Sequence, residues 1–302
     1  MLTVPACLPC IVRDVQAAAF QCVPDDALRL AVVRAALALL SETWSYDVPP
    51  SYHITAVHRV LKDVAGLPVP FAEARAQANE VGLQLAAQVT EEAAAIRDDR
   101  ERFRFLARWA LAANSLDSRT AGTGYTFDPA NARGYFASYL DRPPAIDELD
   151  ALFDRVQTAP GVLYVHDNVG EIALDAVLIR ELRRHGCRVT SAARGGPITS
   201  DATLDDARSV GLDRAADELI LAGPDTLGIS FREMSAAMRA ALAAADLVIA
   251  KGQANYYVFS EYVEPAFQPA TVFALFTIKC DPVAERWGAE RRATVAAFLG
   301  NS

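Results

Sequence analysis

The hydrophobic pattern of this chain changes near Pro160, and that change limits the possible folds more than any other feature. After it, short apolar runs rich in β-branched residues alternate with segments whose apolar residues recur at helical spacing. The predicted strands cover 162–166, 188–192, 218–221, 247–250 and 271–278. Strands that alternate with helices in this way indicate an α/β fold with a parallel sheet and crossover helices.

Residues before this change favour helices, which we predict over 25–40, 54–64, 71–95 and 100–113. Residues 114–144 contain several glycines and prolines and predict a long irregular connection, followed by a helix over 145–157. We therefore expect an all-helical domain over 1–150, which includes the connection, and an α/β domain over 151–302 that carries the functional site.

Composition excludes several classes of protein. The formal charge of −9 argues against a nucleic-acid partner, and the absence of an 18-residue apolar stretch argues against a membrane span. The first residues lack the charged and apolar regions of a signal peptide, and five cysteines are too few for a disulfide scaffold. We expect a cytoplasmic protein and leave its oligomeric state open.

Polar residues gather at the ends of the predicted strands, where open parallel sheets bind their ligands. Asp167 and Asn168 follow the first strand and Asp201 follows the second, giving oxygen donors that suit Mg²⁺ or Mn²⁺ better than zinc. Gly223 and Gly252 follow the next two strands and would let backbone N–H groups approach an anion. Each residue also has a purely structural interpretation, since Asp-Asn after a strand is typical of turns and helix caps.

Only three of the 29 basic residues are lysines. Lys62 falls in a predicted helix and is interpreted as a surface residue, whereas Lys251 and Lys279 fall at strand ends. A compact ammonium group beside a metal is what a phosphate ester requires, because the charge of the transferred group must be neutralised. Cys7 and Cys10 form a C-x-x-C pair whose spacing suits a metal or a redox couple, although a structural role is the more common one for such a pair without a second C-x-x-C.

Several strings occur in a fixed order along the chain: C-L-P-C at 7–10, D-N-V-G-E at 167–171, D-A-T at 201–203, K-G-Q-A-N-Y at 251–256 and K-C at 279–280. Together they resemble the domain of unknown function 89 family, the damage-control phosphatases, in its cysteine-containing, mostly prokaryotic branch. Weaker similarity extends to 70–79 and to N-S-L-D at 114–117, so the resemblance covers nearly the whole chain.

The resemblance implies a helical domain joined to a Rossmann-like α/β domain, and a phosphatase that uses Mn²⁺, Mg²⁺, Co²⁺ or Ni²⁺ on small phosphorylated metabolites such as sugar phosphates. The implied metal ligands are Asp167, Asn168 and Asp201. The implied catalytic residues are Asp167, Asp201, Lys251 and Asp117. The implied substrate-binding residues are Asn114, Glu171, Gly223, Thr226, Gly252, Asn255 and Lys279. Cys280 would join Cys7 and Cys10 in a second metal site.

Three residues depart from the family pattern. Ser200 replaces the usual Asn before the Asp, Ala113 replaces a Gly, and Tyr257 replaces a frequent Glu. The departures at Ser200 and Ala113 keep open a non-catalytic metal- or nucleotide-binding module. A second alternative is an S-adenosylmethionine-dependent carboxyl methyltransferase, which a Rossmann-like sheet with acidic strand ends could also form and which needs no metal.

Overall fold

The computed structural model describes residues 1–116, 132–261 and 271–300, which contain a seven-stranded sheet flanked by helices. The strands are β1 Ile146–Asp147, β2 Gly161–Val165, β3 Arg188–Arg194, β4 Glu218–Gly223, β5 Leu247–Lys251, β6 Val272–Thr277 and β7 Thr294–Leu299. Their order across the sheet is β1-β7-β6-β5-β2-β3-β4, and only the β6–β7 pair of this sheet is antiparallel. The predicted α/β class with a mostly parallel sheet is confirmed.

Helices precede the sheet and connect its strands. In the described residues they are α1 Cys7–Cys22, α2 Asp26–Thr43, α3 Pro50–Ala65, α4 Ala72–Ala94, α5 Asp99–Ala113, α6 Ala132–Leu140, α7 Leu149–Val156, α8 Glu171–Arg184, α9 Leu204–Ser209, α10 Leu212–Ala215, α11 Ala236–Ala244, α12 Gly252–Glu261 and α13 Asp281–Trp287. The four N-terminal helices predicted from hydrophobic spacing correspond to α2–α5, so the helical N-terminal region is confirmed as well.

Some elements differ from their predictions for local reasons. The segment predicted as a helix over 145–157 first adds strand β1 beside β7 and only then forms α7. Helix α11 begins at Ala236, because the Ser235 hydroxyl accepts a 3.0 Å hydrogen bond from the Met238 N–H and caps it. β7 and α13 lie outside the predicted elements, and β7 contains two alanines, a residue that strands disfavour.

The N-terminal helices divide into two groups by what they pack against. Helices α1, α2 and α3 share a core of their own, which includes Ile11, Val32 and Leu61. Helices α4 and α5 instead pack on α8 and the sheet, in a continuous core that reaches from Leu85 to Ile249. That core includes residues on both sides of position 150, and the division of the chain into two domains there stays a prediction.

Helix α5 is the element that links the helical region to the functional edge of the sheet. It ends at Ala113, and the following 3₁₀ turn, Asn114–Leu116, lies against β6. No helix in the described part of the chain is long and apolar enough to cross a membrane.

Candidate functional site

The parallel strands direct the residues that follow them to one edge of the sheet, where a cavity of about 110 Å³ opens. That volume is several times the roughly 10–15 Å³ that a cavity needs to hold one water molecule. One part of its lining, which we call the strand-end floor, consists of Asp167, Asn168, Thr199, Ser200 and Lys279. Another part, the helical wall, consists of Cys10, Ile11 and Asp14 from α1 and Ile54 from α3.

Asp167 follows β2 and is only 3% exposed. Its Oδ2 atom accepts hydrogen bonds from Asn114 Nδ2 at 2.9 Å and from Asn168 Nδ2 at 2.7 Å. Gly252 has φ +81°, and a Cβ added there would lie 1.7 Å from the same carboxylate oxygen. Glycine is therefore required at 252 for steric reasons as well as for its backbone conformation. The structure brings Asn114, Asn168 and Gly252 together around Asp167, as the sequence suggested.

Asn114 links this carboxylate to Glu171 and to the end of β6 through hydrogen bonds. Asn114 Nδ2 also donates to Glu171 Oε2 at 2.9 Å, and its Oδ1 accepts from the Thr277 N–H at 2.9 Å. Glu171 begins α8 and accepts a 3.1 Å hydrogen bond from the Asn168 N–H. Burial raises the pKa of Glu171, which is fully buried and does not line the cavity. Glu171 therefore positions the floor and is not placed to contact a substrate.

Lys251, predicted to hold phosphate, points into the protein interior. It is fully buried, and its Nζ donates to Asp175 Oδ1 at 2.7 Å and to the Ala110 carbonyl at 2.8 Å. Glu171 Oε1 lies 3.7 Å from the same nitrogen. Burial alone would lower the pKa of Lys251, but the charges of Asp175 and Glu171 outweigh it and raise that pKa. In this arrangement Lys251 neutralises buried carboxylates and does not line the cavity.

A histidine completes what we call the buried network, formed by Tyr164, His166, Glu171, Asp175 and Lys251. His166 Nδ1 lies 2.9 Å from Asp175 Oδ2, and its Nε2 lies 3.2 Å from Ser191 Oγ. This Ser-His-Asp arrangement has the order of a hydrolase triad, but all three side chains are fully buried and outside the cavity lining. Burial lowers the pKa of His166, so its ring is neutral and packed as a structural group.

Asp201, the third predicted metal ligand, is also turned away from the cavity. Its Oδ1 accepts a 2.7 Å hydrogen bond from the Gly228 N–H and lies 3.3 Å from Arg194 Nη2. Its Oδ2 accepts from Thr199 Oγ1 at 2.9 Å. Arg194 ends β3 and is fully buried, yet sequence reasoning did not single it out. Its position at the end of a strand is the sequence feature that could have identified Arg194 as a candidate.

Two other predicted site residues donate hydrogen bonds to main-chain carbonyls. Asn255 donates to the Lys251 carbonyl at 2.7 Å, and Thr226 Oγ1 donates to the Gly228 carbonyl at 2.7 Å. Gly223 lies on a separate surface. The structure does not bring these three into the cavity lining, and Asp117 lies outside the described residues.

Lys279 does line the cavity, two residues beyond the end of β6. Its backbone N–H donates to Gln253 Oε1 at 2.8 Å, so α12 fixes the local chain. Cys280 lines the same cavity, 3.5 Å from Gln253 Nε2 and 3.6 Å from the Tyr257 hydroxyl. Gln253 was not predicted from the sequence, whereas Tyr257 was noted only as a departure from the family.

The cavity offers two kinds of metal donor. On the floor, Asp167 supplies a carboxylate and Asn168 an amide oxygen, which accepts a 2.7 Å hydrogen bond from Ser200 Oγ. Such hard oxygen donors fit Mg²⁺ or Mn²⁺. No group of three or more His, Cys, Asp or Glu side chains within 1–116, 132–261 and 271–300, the cavity lining included, is arranged to hold a metal. The second site at Cys7, Cys10 and Cys280 stays a prediction.

Comparison with known proteins gives a consistent result. The family model described as the damage-control phosphatase ARMT1-like domain matches residues 3–295. An uncharacterized protein of Methanocaldococcus jannaschii is 30% identical over 95% of this chain and 92% of its own length. A protein of Archaeoglobus fulgidus named damage-control phosphatase is 30% identical over 94% of each chain. The crystal structure of a DUF89 family protein from Pyrococcus horikoshii has a TM-score of 0.85 at 26% identity, covering 98% of both chains.

Proposed function

Because this chain belongs to the damage-control phosphatase ARMT1-like domain family, we propose that it is a divalent-metal-dependent phosphatase of small phosphorylated metabolites. The membership confirms the family resemblance drawn from the sequence. One observation carries the proposal: Asp167, Asn168 and Lys279 line the same cavity at the carboxyl edge of the sheet. Oxygen donors and an ammonium group in one cavity suit a metal and a phosphate ester together.

Asp167 and Asn168 are the residues that would hold the metal, which we propose to be Mn²⁺, Mg²⁺, Co²⁺ or Ni²⁺. When bound, such an ion would neutralise phosphoryl charge and lower the pKa of a water molecule. Asp201 was implied as a third ligand, but its oxygens contact Thr199, Gly228 and Arg194. The proposal therefore rests on the first two residues.

The chain's own groups would orient and neutralise the substrate. Asn114 holds the Asp167 carboxylate in one orientation, and Gly252 leaves space beside it. Lys279 would offset negative charge on the phosphoryl oxygens while water attacks phosphorus and the ester P–O bond breaks, and the departing oxygen takes up a proton. A methyltransferase needs no metal, so the paired oxygen donors Asp167 and Asn168 in the cavity favour the phosphatase over the S-adenosylmethionine-dependent alternative.

The test is turnover of p-nitrophenyl phosphate and a panel of sugar phosphates by wild type and Asp167→Asn, with each metal and with EDTA. We expect kcat/KM to fall about 100-fold or more in the variant, and activity to vanish in EDTA. Asp205→Asn changes a carboxylate that is 94% exposed and serves as the matched control. Equal turnover by wild type and Asp167→Asn would contradict the proposal, and undiminished turnover in EDTA would contradict its metal dependence.

A further inference from the structure

The helical wall carries a charged group that the proposed chemistry does not use. Asp14, on α1, lines the cavity, and its side chain is 13% exposed. Its Oδ2 lies 2.7 Å from Nε2 of His58, whose side chain on α3 is fully buried. Its Oδ1 has no hydrogen-bond partner within the part of the chain that the structure describes. A buried histidine therefore holds this carboxylate in place and leaves one oxygen available to a ligand.

Few charges line the cavity. Among its described lining residues, those of acidic or basic type are Asp167 and Lys279 on the strand-end floor and Asp14 on the helical wall. The negative charge of the helical wall is therefore that of Asp14.

The helical wall and the strand-end floor border the same cavity. A leaving group attached to a phosphoryl group on the floor therefore enters a space that the helical wall bounds. Ile11, Ile54 and Leu227 make much of the lining of that space apolar. A single fixed carboxylate in such a surface favours a hydroxyl or ammonium donor at one point and disfavours a second anion.

We propose that Asp14 determines the specificity of this site by selecting the leaving group. The favoured substrates are phosphate monoesters whose leaving group bears hydroxyl or amino donors, and the rejected ones carry a carboxylate or a second phosphate near the ester. This inference rests on the proposed function, since it assumes that the phosphoryl group lies on the strand-end floor.

The experiment compares kcat/KM of wild type and Asp14→Asn on glycerol 3-phosphate, 3-phosphoglycerate and phosphoethanolamine. The first two differ by a hydroxymethyl group against a carboxylate, so their ratio reports the charge at Asp14. We expect wild type to prefer glycerol 3-phosphate over 3-phosphoglycerate, and Asp14→Asn to shrink that preference about tenfold. The variant should also lose rate on phosphoethanolamine relative to glycerol 3-phosphate.

A second variant separates the charge of Asp14 from its orientation. His58→Gln keeps the carboxylate but removes its imidazole partner, so we expect slower turnover of glycerol 3-phosphate with the rejection of 3-phosphoglycerate retained. Asp205→Asn should leave all ratios unchanged, and thermal melting verifies that each variant is folded. If Asp14→Asn leaves the ratio within about twofold of wild type, the specificity proposal is overturned while the phosphatase stands. If wild type hydrolyses none of these esters or p-nitrophenyl phosphate, the proposed function fails first.

Discussion

The strand-end floor and the buried network lie at the same edge of the sheet and use the same types of residue, yet the protein uses them differently. Lys279 lies two residues beyond β6 and lines the cavity, whereas Lys251 is the last residue of β5 and is fully buried. Lys251 lies within its strand, beneath α5, whose Ala110 carbonyl it contacts, whereas Lys279 lies past the end of its strand. The position of each lysine relative to the strand end thus separates the one in the buried network from the one that lines the cavity.

Each charged group of the buried network needs a partner, because it is removed from water. Removing a lysine and carboxylates from water costs several kcal/mol for each ion, and only good mutual geometry offsets that cost. Lys251 meets that condition through Asp175 and the Ala110 carbonyl, both within 2.8 Å. Asp167 and Lys279 on the strand-end floor are buried as well, at 3% and 7% exposure, but they line a cavity that a ligand can enter.

Lys251→Met gives the largest expected effect and tests the structural side of this comparison. It leaves the Asp175 carboxylate buried without its cation, which should lower the free energy of unfolding by about 3–5 kcal/mol. Urea unfolding followed by circular dichroism measures the change. A loss below about 1 kcal/mol would show that the network is not the structural element we describe.

Lys279→Met tests the role proposed for the lysine of the strand-end floor. We expect kcat/KM for p-nitrophenyl phosphate to fall about 100-fold, since the ammonium group that offsets phosphoryl charge is lost. The free energy of unfolding should fall by less than in Lys251→Met, because Lys279 lines a cavity whereas Lys251 lies among buried carboxylates. If Lys279→Met and Lys251→Met lose the same stability and the same activity, the two regions are not distinct.

The third lysine extends the comparison to a partly exposed cluster. Lys62 donates to the Pro197 carbonyl at 2.9 Å and pairs with Asp225, which also contacts Arg59. The interpretation of Lys62 as an ordinary surface residue was therefore wrong, since it ties α3 to the loops after β3 and β4. Burial alone would raise the pKa of Asp225, but the hydrogen bond from Lys62 and the charge of Arg59 outweigh it and lower that pKa.

This lowered pKa predicts the smallest effect, and one with a definite sign. A carboxyl whose pKa is lower in the folded than in the unfolded state stabilises the protein at pH values above its unfolded-state pKa of about 3.9. That contribution disappears as the pH falls through the folded-state pKa. The stability difference between wild type and Asp225→Asn should thus be present at about pH 6 and close below about pH 4. Urea midpoints across this range measure it, and a gap that widens toward acid would have the wrong sign.

Sequence reasoning recovered the rim of the site because strand ends are visible in the hydrophobic pattern. Asp167, Asn168 and Lys279 follow predicted strands, and all three line the cavity. Lys251 and Asp201 were assigned to the same rim, but the inward direction of a side chain depends on which helix covers it. Helix α5 is far away in sequence, so no local pattern shows that its Ala110 carbonyl receives Lys251.

Apart from Cys10, the helical wall was not predicted from the sequence, for the same reason. Asp14 and Ile54 lie on two different helices, and only the packing of α1 and α3 against the sheet edge brings them to the cavity. Their local sequences have the ordinary spacing of helix residues. β7 was missed on different grounds, because its pairing with β6 and β1, and not its composition, makes it a strand.

Binding of Mn²⁺ tests the central claim most directly, since it asks whether the strand-end floor holds a metal at all. Isothermal titration calorimetry of wild type and Asp167→Asn, without substrate, separates binding from turnover. We predict that wild type binds Mn²⁺ and that Asp167→Asn binds it at least about tenfold more weakly. Equal affinity in both proteins would contradict the assignment of this floor as the metal site.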